Sequence, residues 1–91
     1  MEIIILDGKQ MTDKTAAHQY LARTLRFPAH YGNNLDALAD CLSELGSQVC
    51  VILTNAEDMR GQLGPYADKL IAVFEEVAAE KKAFNWVVSG E

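Results

Sequence analysis

Three short apolar runs constrain the fold of this chain more than any other feature of its sequence. They are EIIIL at 2–6, VCVILT at 49–54 and FNWVVS at 84–89. Runs of this length that are rich in β-branched residues are typical of β-strands, and continuous rather than alternating apolar character indicates burial on both faces. We therefore predict three strands, of which the first is buried and the second is buried on both faces.

Helical patterns fill the segments between these strands. Residues 12–26 form a helix that stops at Phe27-Pro28, because a residue that precedes proline avoids the α conformation. A second helix starts at Asn33 or Asn34, either of which can cap it, and ends near Gly46. Its leucines recur every three or four residues and define a buried stripe.

The second half of the chain follows the same alternation. Residues 55–63 are expected to form a short helical turn or an irregular connection, and a long helix runs from 65 to about 82. Strands that alternate with helices pair in parallel through right-handed crossovers. The sequence thus predicts an α/β fold, a small three-stranded parallel β-sheet packed by three to four α-helices, as a single domain over 1–91. The order of the strands stays open.

The composition argues against several classes of protein. Thirteen acidic and eight basic residues leave a net charge of −5, whereas a nucleic-acid-binding protein needs a basic surface to neutralise phosphates. The chain has no apolar stretch of about 20 residues to span a membrane and no basic start of a secretory signal. Two cysteines without a Cys-x-x-Cys pair indicate neither a disulfide scaffold nor a zinc site. We expect a reduced, cytoplasmic protein without cofactor or metal, and without direct contact to nucleic acid or membrane.

The most unusual local feature is a helix with acids four residues apart. Asp36, Asp40 and Glu44 share one face, where like charges repel by roughly a few tenths of a kcal/mol per pair. A solvated face explains Asp36, which the helix dipole stabilises, but explains Asp40 less well. A general acid–base pair assisted by His30 would need a cleft that separates the two pKa values. The third interpretation is a docking surface for cations of another protein, with Tyr31 as an aromatic contact.

Other residues have simpler interpretations. His18 is predicted on the polar face of the first helix, and Trp86 in the core. Cys41 and Cys50 are expected to behave as small apolar residues rather than as a redox pair. The ring of Tyr31 has two interpretations of equal weight, since it can pack against the core at the helix entrance or contact a partner.

The segment YGNNLDALADCL at 31–42 resembles the signature helix of the barstar family, the intracellular inhibitors of the extracellular ribonuclease barnase. It matches the pattern YG-x-NLDAL-x-DCL at every fixed position. The resemblance extends to the proline-then-aromatic loop before the motif and to VFEEV at 73–77. The family's fold, a parallel three-stranded sheet with helices, has the same order of elements as the one predicted above.

The resemblance implies an inhibitor rather than an enzyme, one that plugs the active site of a basic ribonuclease in a 1:1 complex and is a monomer when free. Acidic side chains would take the places of substrate phosphates. By matched position Asp40 is the principal anchor and Asp36 its companion, Ser43 contributes a hydroxyl, and Glu76 is a peripheral acid. The full set of predicted partner-binding residues is His30, Tyr31, Gly32, Asn34, Asp36, Ala39, Asp40, Ser43, Glu44 and Glu76.

This chain also departs from the family pattern. Ala39 stands where the family has tryptophan, His30 where it has tyrosine, and Glu44-Leu45 where it has a glycine-tryptophan pair, while Cys50 does not match the family's second cysteine. Since large aromatic contacts are missing or changed, we expect a different partner enzyme or looser binding to barnase. The alternatives are a barstar-like module with a non-nuclease partner and, from another class, a small hydrolase that uses Asp36, Asp40 and His30. The sequence leaves open whether such an immunity protein inhibits the cell's own nuclease or a competitor's toxin.

Overall fold

The computed structural model describes residues 1–45 and 48–89. Three strands in this part of the chain form one parallel sheet with the order β1-β2-β3. The elements are β1 (Glu2–Asp7), a 3₁₀ turn (Gly8–Gln10), α1 (Lys14–Leu25), α2 (Leu35–Ser43), β2 (Val49–Thr54), α3 (Ala56–Leu63), α4 (Pro65–Glu80) and β3 (Phe84–Val88). The predicted α/β architecture is confirmed, and β2 is the central strand. Within the described residues, no helix combines the length and apolar character needed to cross a bilayer.

The ends of the elements differ from prediction by one or two residues, and one connection is a longer helix than predicted. Helix α1 ends at Leu25 because Arg26 takes a left-handed conformation with φ 59° and the Phe27 N–H bonds the Ala22 carbonyl at 2.9 Å. Of the two alternatives predicted for 55–63, the helical one is closer, because residues 56–63 form a regular helix of eight residues, which is longer than a short helical turn. The predicted cap at Gly46 lies outside the described residues.

Among the described residues, helices cover only one face of the sheet, so the prediction that β1 is buried and that β2 is buried on both faces is wrong. Side chains on the inner face, such as Leu6 and Val51, are 0% exposed, whereas Ile3 and Ile5 on the outer face are 63% and 58% exposed. In β2 buried and half-buried residues alternate along the whole strand. The apolar run could not reveal this, because its outward-facing residues are as apolar as its inward-facing ones.

The helices bury their apolar stripes against the inner face. Leu38 and Leu42 of α2 are fully buried, as the leucine spacing predicts. The ring of Phe74 in α4 stacks on the half-buried Trp86 ring of β3, with centroids 4.5 Å apart. Helix α4 also packs against α2. This contact fixes α2 on the inner layer with its opposite face in solvent.

A group of hydrogen bonds joins the carboxyl ends of β1 and β2 to α3. The Thr54 hydroxyl donates to the Leu6 carbonyl at 3.1 Å, and the Asn55 amide donates to an Asp7 carboxylate oxygen at 2.8 Å. The Gln62 amide donates to the carbonyls of Gly8 and Met11 at 3.1 and 2.8 Å. The 3₁₀ turn and α3 are therefore held as one corner of the molecule.

Candidate functional site

Helix α2 and the loop before it are joined by the side chain of Asn34. Its Oδ1 accepts from the Ala37 N–H at 2.8 Å, which caps the helix, and its Nδ2 donates to the Gly32 carbonyl at 3.2 Å. Asn34 is therefore the cap, and Asn33 instead takes a left-handed conformation with φ 54°. A Cβ at Gly32 would lie 3.2 Å from this Asn34 nitrogen, so a side chain there would crowd the cap.

The solvent face of α2 carries an acidic row. The row consists of Asp36, Asp40 and Glu44. All three side chains are exposed. Ion pairs elsewhere in the described residues join Arg26 to Glu2 and Arg60 to Asp68, and none includes a member of the row. Their charges are not compensated by ion pairs within this part of the chain, which leaves them free to meet cations of another molecule.

The C-terminal half of the row and the loop at 28–32 line one shallow cleft of about 210 Å³. Asp40 and Glu44 form its helix side, and His30, Tyr31 and Gly32 belong to its loop side. The remaining lining residues are Pro28, Ala37 and Cys41. The cleft thus brings together five of the predicted partner-binding residues.

Asp36 borders a different depression. That depression is lined by Lys14 of α1, Asn34 and Leu35 at the start of α2, and Tyr66 of α4. Asp36 and Asp40 therefore face neighbouring but separate features of the surface.

The thiol of Cys41 faces the cleft but is not activated there. Burial raises the pKa of this thiol, and the carboxylates of Glu44 and Asp40 raise it further. A thiol with a raised pKa is a poor nucleophile at neutral pH. Cys41 and Cys50 are both free thiols, and Cys50 lies in β2 beside Ile3 of β1.

The end of α2 is held by a residue that the sequence did not point to. The Lys81 ammonium donates to the carbonyls of Ser43 and Leu45 at 2.7 and 2.8 Å. A cation at this end satisfies the last carbonyls of the helix and complements its dipole. The spacing between residues 43 and 81 gives no local signal for this contact. Ser43 keeps an exposed side chain, so its predicted hydroxyl role stays a prediction.

Two further predicted residues, Ala39 and Glu76, do not line the cleft. Ala39 is half-buried on α2. Glu76 is exposed on α4, the helix that packs against α2. Their contacts to a partner also stay predictions.

The ring of Tyr31 points inward, and its hydroxyl contacts the buried side chain of His18. Tyr31 is 9% exposed, and the centroid of its ring lies 4.9 Å from the ring centroid of Phe27. Its hydroxyl oxygen is 2.7 Å from Nδ1 of His18. The prediction that His18 lies on the polar face of α1 is wrong, because this residue is 0% exposed and its Nε2 is 2.7 Å from the Tyr66 hydroxyl. Two hydroxyl partners satisfy both ring nitrogens, which removes the main cost of burying an imidazole. Its position three residues before the buried Leu21 was the available signal.

A comparison with family models identifies the chain. The model described as barstar, barnase inhibitor, matches residues 1–89. This chain belongs to the barstar family. Its relatives include the Bacillus subtilis (strain 168) protein named "Putative ribonuclease inhibitor YrdF", which is 39% identical over 83 residues, 90% of this chain and 91% of that protein. The description of the family model and the name of this relative both refer to inhibition of a ribonuclease.

The buried histidine predicts a pH dependence for the stability of this barstar family member. Desolvation lowers the pKa of His18, and the nearby Lys14 ammonium lowers it further. The unfolded chain takes up this proton below about pH 6.5, whereas the folded protein does so only at lower pH, so the free energy of unfolding falls as the pH drops through this range. The contribution of His18 to the slope of the free energy of unfolding against pH can reach about 1.4 kcal/mol per pH unit.

Urea unfolding between about pH 7.5 and 5.5 measures this dependence. The difference between wild type and His18→Gln isolates the contribution of His18, since the carboxylates titrate in both. His30→Gln is the matched control, because it removes an exposed histidine from the loop. Parallel curves for wild type and His18→Gln would contradict a neutral, buried imidazole.

Proposed function

We propose that this barstar family member inhibits a basic ribonuclease by covering its active site with α2 and the loop before it. The observation that carries the proposal is the acidic row, exposed and without ion pairs within the described residues, next to a cleft that the same helix shares with the loop. An RNA-cleaving site binds phosphates with cationic side chains. The row would occupy those cations in place of substrate.

The row has the length to engage several cations at once. Glu44 lies eight positions after Asp36, which at the helical rise corresponds to about 12 Å. Each carboxylate can therefore pair with a different arginine or lysine, and carboxylate–guanidinium pairs form two parallel hydrogen bonds. Asp40, at the centre of the row and at the edge of the cleft, is the proposed anchor, and Asp36 is its companion.

The departures from the family pattern shape the proposed partner surface. Glu44 adds a carboxylate to the cleft, whereas Ala39 and His30 remove large aromatic groups from the helix and the loop. A cognate enzyme would then present more positive charge and less apolar surface to this inhibitor than barnase presents. Glu76 on α4 is proposed to meet the rim of the enzyme.

Long-range attraction is part of the proposal. The inhibitor has a net charge of −5, and a basic enzyme would be drawn to it before contact. The association rate should therefore fall as salt screens this attraction over about 10 Å at 0.1 M ionic strength. We propose a cytoplasmic 1:1 complex in which the inhibitor protects the cell as an immunity protein.

The proposal is tested by inhibition of a panel of basic microbial ribonucleases, barnase included. Pure inhibitor is titrated into each enzyme at low salt while RNA hydrolysis is followed. We expect stoichiometric inhibition of at least one enzyme and an association rate that decreases with added salt. A folded inhibitor that leaves every nuclease of the panel active would shift the proposal to a non-nuclease partner.

A further inference from the structure

Apart from the bond between the Asn34 side chain and the Gly32 carbonyl at its end, the loop at 28–32 is attached to the body of the protein mainly through the side chain of Tyr31. Within this loop only Tyr31 is buried, whereas Pro28, Ala29, His30 and Gly32 are exposed. The loop also has a turn hydrogen bond from the Tyr31 N–H to the Pro28 carbonyl at 3.0 Å, but this bond lies within the loop itself. What holds Tyr31 therefore determines where the exposed wall of the cleft stands.

We propose that His18 is a positioning residue for partner binding, which holds the Tyr31 hydroxyl and thereby fixes the loop against α2. The inference rests on the proposed function and adds to it a residue that is buried and touches no partner. The structural basis is a chain of contacts from the loop to α1 and from α1 to α4. Its links are the 2.7 Å contacts of His18 with Tyr31 and with Tyr66.

His18 is well placed to hold the loop because its own ring is buried and contacts two tyrosines. His18 is 0% exposed, and the ring centroids of Tyr31 and Tyr66 lie 5.8 and 5.9 Å from its ring centroid. A neutral imidazole has one donor and one acceptor nitrogen, and each tyrosyl hydroxyl can serve either one. The ring is thus fixed in direction by two hydrogen bonds, one on each side.

The other contact of Tyr31 provides less direction. Its ring packs at 48° to that of Phe27, which is itself half-buried and precedes the loop directly. Apolar ring contacts depend weakly on orientation, whereas a hydrogen bond weakens steeply when its angle departs from linear. The hydroxyl contact with His18 is therefore the directional contact that ties Tyr31, and with it this part of the loop, to α1.

A loop held in the bound conformation before the partner arrives loses less freedom on binding. Such preorganisation strengthens a complex mainly through a slower dissociation rate. Without the Tyr31 hydroxyl, the part of the cleft wall formed by His30 would have to be positioned by the partner, while the Asn34 bond would still hold Gly32. The complex should then dissociate faster although no partner-contacting group has been removed.

A matched pair of substitutions tests this inference. Tyr31→Phe and Tyr66→Phe each remove one hydroxyl and each leave one His18 nitrogen without its partner, so both should lower the stability of the free protein. Only Tyr31→Phe removes the bond to the loop itself, because in Tyr66→Phe the Tyr31 hydroxyl keeps its contact with Nδ1 of His18. We expect its complex with an inhibited ribonuclease to dissociate about tenfold faster than wild type, and that of Tyr66→Phe to stay within about twofold.

A double substitution shows that the effect passes through His18. In the His18→Leu background the Tyr31 hydroxyl has no imidazole to bond, so adding Tyr31→Phe should change the dissociation rate by less than about twofold. If His18→Leu does not fold, the comparison of Tyr31→Phe with Tyr66→Phe decides alone.

Two outcomes would overturn the inference, and they are distinguishable. If wild type binds a nuclease and Tyr31→Phe dissociates no faster than Tyr66→Phe, positioning by His18 is wrong while inhibition stands. If wild type binds no nuclease of the panel, the proposed function is wrong and this inference falls with it.

Discussion

Asp40→Ala should remove most of the affinity for the target ribonuclease while leaving the protein folded. Asp40 is exposed and has no ion pair within the described residues, so its removal breaks no ion pair in the free protein. In the complex it would leave a nuclease cation desolvated and unpaired. Truncating one partner of a buried, hydrogen-bonded charge pair costs about 2–5 kcal/mol, a generalisation drawn partly from barnase–barstar itself. That corresponds to binding weaker by roughly 30-fold to several thousand-fold.

The measurement is the inhibition constant, with circular dichroism and urea unfolding as checks on the fold. Asp58→Ala is the matched control, because Asp58 is an exposed acid of α3 and its removal changes the net charge by the same amount. Any loss shared by both variants reports long-range attraction, and the excess for Asp40→Ala reports the direct contact. Asp36→Ala should have a smaller effect. Equal affinities of Asp40→Ala and Asp58→Ala would exclude Asp40 as the anchor.

Gly8→Ala should destabilise the protein by about 3 kcal/mol or more, at the upper end of what overpacking costs. A Cβ at Gly8 would lie 2.2 Å from the Asn55 carbonyl oxygen and 3.0 Å from Cβ of Met59. The obstacle is backbone, and it cannot readily shift. That carbonyl accepts the Met59 N–H at 3.2 Å in the first turn of α3, and the Asn55 side chain is bonded to Asp7.

Gly61→Ala is the control, and it is expected to change the free energy of unfolding in the opposite direction. Gly61 lies within α3, and a Cβ there would meet nothing within 4 Å. Because glycine costs helix stability through its backbone freedom, this substitution should stabilise the protein by about 0.5–1 kcal/mol. Urea unfolding of both variants measures the difference. A Gly8→Ala protein as stable as wild type would show that the corner between β1 and α3 is looser than the structure indicates.

Local patterns in the sequence predicted much of the fold and the position of the candidate site. Strand β2 and helix α2 follow from apolar runs and leucine spacing, and Asn34 was one of two predicted caps. The acidic row follows from the helical period alone. These features depend on residues within a few positions of one another, and a single sequence contains that information directly.

The contacts of individual site residues were less predictable. The sequence left the ring of Tyr31 with two equal interpretations, and it placed His18 in solvent although this histidine lies beside Ala17 and before Leu21 on the buried side of α1. An imidazole is buried only where partners exist for its nitrogens, and both partners here come from distant segments. The two bonds from the Lys81 ammonium to carbonyls at the end of α2 also join residues that are far apart in the sequence.

By itself the sequence determined the number and place of the strands, the helix that carries the acids, the family motif and the sign of the surface charge. The tertiary structure decided that β2 is central, that the described residues leave one face of the sheet uncovered, that Asp40 and Glu44 share a cleft with the loop, and that Tyr31 points inward to His18. The reason is physical. Secondary structure follows from short-range backbone and side-chain preferences, whereas burial and hydrogen-bond partnership depend on which distant surfaces meet once the helices pack on the sheet.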